Sequence, residues 1–316
     1  MPRSSSRKSH ATAPTSSTAN SITTSRSSSS SNTPTSLAEA LVFEGLEHIG
    51  IRQLNNIVDV LKAINLQSDK LIAGLSNQQF LVFSDVTQDD LIKIDSERPK
   101  YTRVTYYKDI NLFIVKLMPS VKYEAAHVNF GKKMTGKIIG MGMSEDDLWA
   151  TGAGRFQGSS ASKEGDTSFK PPSRTNETDW PTIVIEAGLS ESLPKLRCDA
   201  KWWLTNSSGD VKIVIIILIT SQNKSLRIEL WEMVPPISGR RVTTANPNTP
   251  IPGSVQEITV IPDATGAITP NQIIGAPLVL DFHKIFLRQP IPPETDITFS
   301  INDLADFATK FWNRSQ

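Results

Sequence analysis

Cysteine is almost missing from the 316 residues: Cys198 stands alone, so no intrachain disulfide can form and a reducing compartment is the expected setting. No histidine lies near it in sequence, and a lone thiol beside Arg197 reads as a packed helix residue before it reads as a nucleophile. Long hydrophobic runs are missing as well. The longest, Val211 to Thr220, carries Lys212 near its start and is far too short to span a bilayer, so a soluble protein with no membrane partner is expected. Three motifs are also absent: the Gly-x-Ser-x-Gly elbow, a glycine-rich phosphate loop with its lysine, and His-Glu-x-x-His. Their absence argues against serine esterases, P-loop nucleotidases and zinc peptidases.

Acid is missing from residues 1 to 36, which hold Arg3, Arg7, Lys8 and Arg26. With those four cations set aside, the rest of the chain carries 29 of the 33 Lys and Arg against all 32 Asp and Glu, a mildly acidic body without the basic excess of a strong non-specific nucleic-acid binder. Residues 1–35 are rich in Ser and Thr, lack apolar periodicity and are expected to form a disordered tail. The basic tail also suggests residence in the nucleus or cytoplasm.

Four segments follow from the pattern. The tail (1–35) precedes a helical pair over 36–76, a core domain over 77–235 and a Pro-rich extension over 236–316 with short strands and a terminal helix. Ser36 and Glu39 have the spacing of a capping box, and Ile51, Leu54, Ile57, Val58, Leu61 and Ile64 recur at helical spacing. Strands are expected at Phe80–Phe83, Tyr101–Tyr107 and Leu112–Met118 with polar turns between them, then a helix from Tyr123 to Met141 with Lys132, Lys133 and Lys137 outward. A solvated face explains those lysines best, and a phosphate-contacting face is the alternative. A helix over Leu193–Leu204 and a hairpin of Val211–Thr220 with Ser225–Val234 complete the core.

Two carboxylates carry the chemistry. Ile183, Val184 and Ile185 form an unbroken apolar run, the mark of a strand buried on both faces, and Glu186 continues it. A charge there requires pairing or a metal. Asp166 precedes a shorter strand, and a carboxylate on each of two neighbouring strands can converge on one divalent cation. On Glu186 alone an ordinary ion pair is the favoured explanation, and the surrounding pattern turns the reading toward a metal.

Lys163-Glu164-Gly165-Asp166, then Pro181 to Ser192, then Arg197, Asp199 and Trp202, resemble the PD-(D/E)XK nuclease-like superfamily from about Tyr123 to Thr220. The likeness is to an uncharacterised fungal group with a degenerate motif and to bacterial restriction-endonuclease relatives. The resemblance implies an α/β fold with a restriction endonuclease-like core of helix, mixed central sheet and helix. It also implies Asp166 and Glu186 as ligands of Mg²⁺ or Mn²⁺, and nucleic acid as partner. Glu124, with His127 one turn away, matches the helical glutamate that sometimes completes such sites. Two positions depart from the pattern: Gly165 stands for the proline and Gly188 for the lysine of the Glu-x-Lys motif. Lys195, Lys201 or Lys163 would have to supply that ammonium. Two functions follow: a metal-dependent nuclease-like protein hydrolysing phosphodiesters, or a relative without catalysis that binds nucleic acid or protein. No oligomeric state or specific protein partner can be read.

Overall fold

The computed structural model describes residues 34–118, 121–189, 192–236 and 249–314. The expectation of a disordered tail falls outside these residues, apart from positions 34 and 35. Helix α1 (Leu37–Phe43) opens at Ser36, whose hydroxyl accepts the Glu39 N–H at 3.2 Å. The Glu39 carboxylate does not return the bond to Ser36; it takes the N–H and the hydroxyl of Thr35 at 2.9 and 2.8 Å.

The stripe from Ile51 to Ile64 divides into two elements. Ile51–Gln53 is strand β1, parallel to β2 (Phe80–Ser84), and helix α2 (Ile57–Ile72) starts only after Asn56, which accepts the Asp59 N–H at 2.8 Å. A cap at Asn56 excludes Ile51 from the helix, and the β2 edge takes up its backbone groups instead. The polar stretch after β2 is not a turn but helix α3 (Gln88–Glu97), held by a reciprocal capping box of Thr87 and Asp90 and anchored through Leu91 and Ile94.

The remaining elements follow in chain order: β3 (Thr102–Tyr107), β4 (Leu112–Leu117), α4 (Val121–Gly140), β5 (Trp149–Ala150), β6 (Arg155–Gln157), β7 (Ser162–Glu164), β8 (Thr167–Lys170), β9 (Ile183–Leu189) and α5 (Leu193–Asn206). After them come β10 (Ile213–Thr220), β11 (Ser225–Val234), β12 (Ile251–Val260), β13 (Ile273–Ile274), β14 (Leu278–Leu280), α6 (Phe282–Phe286), β15 (Ile297–Phe299) and α7 (Ile301–Arg314).

These make a mixed α/β architecture with two mixed sheets. The first has the order β1-β2-β4-β3-β7-β6, the second β13-β12-β11-β10-β9-β8-β5, and β14 pairs with β15. In the second sheet β9 and β10 run parallel with α5 as their crossover, while β8–β9 and β10–β11 are antiparallel. Helix α4 covers one face of it together with α7, and α5 covers the other. Alternation along β9 decides which residue meets which helix: Ile185, Ala187 and Leu189 face the α4 core, while Val184 faces the α5 core. The first sheet has α2 and α3 on one face and α1 on the other.

The chain passes from the first sheet to the second between β7 and β8, across only Gly165 and Asp166. A Cβ at position 165 would stand 3.2 Å from Trp203 Cζ2 and 3.3 Å from Val184 Cγ1. Glycine therefore fits this crossing, where a proline ring would have to displace both neighbours.

Candidate active site

Because β8 pairs with β9 only through Ile185, the next two outward N–H groups of β9 lack a strand partner. Side chains replace it: Asp166 Oδ2 accepts the Ala187 N–H at 2.7 Å, and Gln79 Oε1 accepts the Leu189 N–H at 2.9 Å. The divergence of the two sheets thus draws Asp166 to the strand that carries Glu186.

The ammonium that meets the acid pair comes from β4. Lys116 Nζ lies 2.7 Å from Asp166 Oδ2 and 3.3 Å from Glu186 Oε2. Glu186 Oε1 accepts the indole N–H of Trp203 at 2.8 Å. Side-chain exposures are 0% for Asp166, 3% for Glu186 and 6% for Lys116, so this is an interior ion cluster. At its margin Arg103 Nε lies 4.0 Å from Asp166 Oδ1, and Arg103 Nη2 lies 3.2 Å from Glu124 Oε1. His127 Nε2 lies 3.2 Å from Glu124 Oε2, and its Nδ1 lies 2.6 Å from Thr167 Oγ1. Glu124, 38% exposed, connects the cluster to solvent.

The charges divide the proton unequally. Burial raises the Glu186 carboxyl, and the Asp166 charge raises it further, against Lys116, to about 7. Burial also opposes ionisation of Asp166, but Lys116, His127 and Arg103 outweigh it and hold that carboxyl below its ordinary value. Burial opposes the Lys116 charge too, and the two carboxylates overcome it, so the ammonium is held more tightly than in water. His127 close beside it, followed by Arg103, lowers Glu124 in spite of its partial burial.

The lysines expected at the site are otherwise engaged. Lys163 and Lys195 both bind Asp199 and Glu44, a buried two-plus-two cluster in which Tyr107 donates to Glu44 Oε1 at 2.5 Å. A cavity of about 10 Å³, the room of one water molecule, is lined by Lys116 and Glu186 together with Lys163, Lys195 and Asp199. Lys201 is exposed on α5. Gly188 has little space for a side chain, since a Cβ there would stand 3.1 Å from Leu196 Cδ1 and 3.3 Å from Gln79 Oε1 and the neighbours would have to give way.

The neighbouring side chains are engaged as well. Lys133 and Lys137 of α4 bind Asp306 and Asp303 of α7 at 2.8 and 2.7 Å, so two of the three basic residues join helices and do not face phosphate. Arg197 pairs with Glu229 at 2.6 Å and leaves Asp199 to the lysines. Ser192 does not cap α5 through its side chain; its hydroxyl donates to Gln79 Oε1 at 3.0 Å. Trp202 and Trp203 are completely buried, which removes them from any base-stacking surface. Cys198 packs in α5 with its thiol raised by burial.

Among the described residues no group of three or more His, Cys, Asp or Glu side chains is arranged to hold a metal. The acid pair offers one free buried oxygen, Asp166 Oδ1, which accepts no hydrogen bond, and one loosely held oxygen, Glu186 Oε2. Two such oxygens fit what a hard divalent cation takes from protein when water and substrate supply the rest.

No family model matches the chain. No curated protein matches it either. Among solved structures, it is similar to a "putative nuclease belonging to DUF820" from Anabaena variabilis, at 14% identity and a TM-score of 0.38, covering 71% of this chain and 99% of that one. Likeness at that level carries no weight for fold or activity. Among the described residues no helix is long and apolar enough to cross a membrane.

Proposed function

We propose that this protein is a metal-dependent hydrolase of nucleic-acid phosphodiesters, with Asp166 and Glu186 as metal-binding acids and Lys116 as the lysine that Gly188 leaves missing. The supporting observation is the convergence of both carboxylates on one ammonium, 2.7 and 3.3 Å away, from a strand outside the motif. The order α4, β7–β8, β9, α5, β10, with β9 and β10 parallel, agrees with the helix, mixed sheet, helix core that the motif implies. Bound Mg²⁺ or Mn²⁺ would polarise the phosphate and make hydroxide available at neutral pH. Lys116 offsets one carboxylate charge of the acid pair in the free protein and provides positive charge beside the reacting phosphate. Asp166 Oδ2 stays tied to the Ala187 N–H, which fixes the direction of Oδ1.

Burial favours a second reading, that of a nuclease-fold relative without catalysis. All three central side chains are at most 6% exposed, and a phosphodiester reaches them only if the cluster opens. Cleavage of labelled single- and double-stranded DNA and RNA by the full chain separates the two readings. The hydrolase reading requires Mn²⁺-dependent cleavage that is abolished by chelator, by Asp166→Ala and by Glu186→Ala. Folded wild-type protein that cleaves none of these substrates supports the non-catalytic module.

A further inference from the structure

Three buried polar atoms near the acid pair lack an aligned hydrogen-bond partner: Asp166 Oδ1, Arg103 Nε and His127 Nε2. One is an acceptor and one a donor, and these two stand 4.0 Å apart, too far for a direct bond and suited to a shared water. The guanidinium fork decides what lies next to that water. Nε and Nη2 occupy the same edge of the group, and Nη2 is already bound to Glu124 Oε1 at 3.2 Å. A water on Nε would therefore sit beside the Glu124 carboxylate as well as against Asp166 Oδ1.

We propose that this position seats the water that attacks the phosphodiester, and that Glu124 takes its proton. The inference rests on the hydrolase reading and names the base of that reaction. Glu124 is held for the task by Arg103 of β3, whose Nη2 donates to Oε1 at 3.2 Å, while His127 Nε2 on its own helix lies 3.2 Å from Oε2 without an aligned hydrogen bond. His127 is fixed in turn by Thr167, the first residue of β8 and the one after Asp166, so the imidazole beside the base is set by the strand that follows the first acid. Arg103, His127 and Thr167 are positioning residues. Arg103 is itself anchored by Nη1, which donates to the carbonyls of Lys100 and Thr102 at 3.0 Å each.

In the reaction the water oxygen forms a bond to phosphorus, and the bond from phosphorus to the leaving oxygen breaks with its electron pair on that oxygen. The proton lost by the water passes to Glu124 and from there to solvent, which Glu124 reaches through its exposed side. A proton from solvent water completes the leaving hydroxyl.

The test uses the full chain with Mn²⁺ and compares wild type, Glu124→Gln, His127→Ala, His127→Gln and Asp166→Ala for metal binding, KM and kcat. Glu124→Gln is expected to lower kcat by about 10²–10⁴-fold, the contribution of general-base catalysis, with metal affinity and KM unchanged. His127→Ala should lower kcat in the same way, with partial recovery in His127→Gln, which restores an N–H donor. A merely structural role of His127 would lower thermal stability in both variants without that kcat recovery, and would overturn its assignment. Glu124→Gln cleaving at the wild-type rate overturns the proposal while leaving the hydrolase reading intact. Wild-type protein that neither binds Mn²⁺ nor cleaves overturns both.

Discussion

Lys116 and Asp166 form a 2.7 Å ion pair in the interior, between a strand of the first sheet and the crossing to the second. With its 3.3 Å approach to Glu186, the lysine ties the two sheets together where their backbones separate. Buried pairs of this kind are costly to break from one side, because the remaining charge has no solvent. Lys116→Ala is therefore expected to destabilise the protein by about 3–5 kcal/mol, read from urea unfolding at neutral pH. A change within about 0.5 kcal/mol, the range of ordinary surface substitutions, would contradict the burial of this pair.

Restoring the motif lysine should fail. Gly188→Lys drives a side chain against Leu196 Cδ1, Gln79 Oε1 and Ser192 Cβ, which stand 3.1 to 3.3 Å from the first added atom. The expected cost is about 1–3 kcal/mol from overpacking, with no gain in cleavage. A variant as stable as wild type and more active would show that position 188 has room after all.

Glu186 makes stability fall as pH rises. Its folded carboxyl lies at about 7 against an ordinary 4.5, so below 4.5 both states are protonated, and between 4.5 and 7 only the unfolded chain gives up the proton. The folded state loses up to about 3 kcal/mol across that window. Asp166 acts in the opposite sense and in a lower window: its folded carboxyl is held below 3.8, so its contribution is present above 3.8 and is lost as pH falls through the folded value. Urea unfolding of wild type and Glu186→Gln between about pH 4.5 and pH 8 checks the sign. The variant should lose the downward slope, and an unchanged slope would assign it to another group.

The buried cluster of Glu44, Lys163, Lys195 and Asp199 fastens α1 to the core. Glu44→Ala leaves Lys163 and Lys195 sharing a single acid, Asp199, and is expected to cost about 3–5 kcal/mol. Hydrogen exchange of α1 should accelerate together with the loss of global stability. If α1 alone exchanges faster while the core is unaffected, the cluster anchors only that helix.

Much of this arrangement was legible in the sequence. The unbroken apolar run placed β9 and marked Glu186 as a charge in need of a partner, and the hairpin of β10 and β11 followed from its turn. Lys116 carried the same signal, a cation inside the apolar run Leu112-Phe113-Ile114-Val115-Lys116-Leu117, and the same reasoning applied to that strand would have flagged it. What hid its role is distance: Lys116 is 50 residues from Asp166 and 70 from Glu186, and only the pairing of β4 within the first sheet brings them together. Helix α3 was missed because a ten-residue polar segment buries just Leu91 and Ile94, and its capping box uses Asp90 where Glu or Gln is usual. The engagement of Lys163 and Lys195 depends on Glu44, more than a hundred residues earlier, and no local pattern announces it.

Calorimetric titration of the full chain with Mn²⁺, comparing wild type, Asp166→Ala and Glu186→Ala, tests the central claim most directly. The account predicts saturable binding in the wild type that is lost in both variants while each remains folded. Absence of binding to folded wild-type protein, or binding that survives both substitutions, would contradict it.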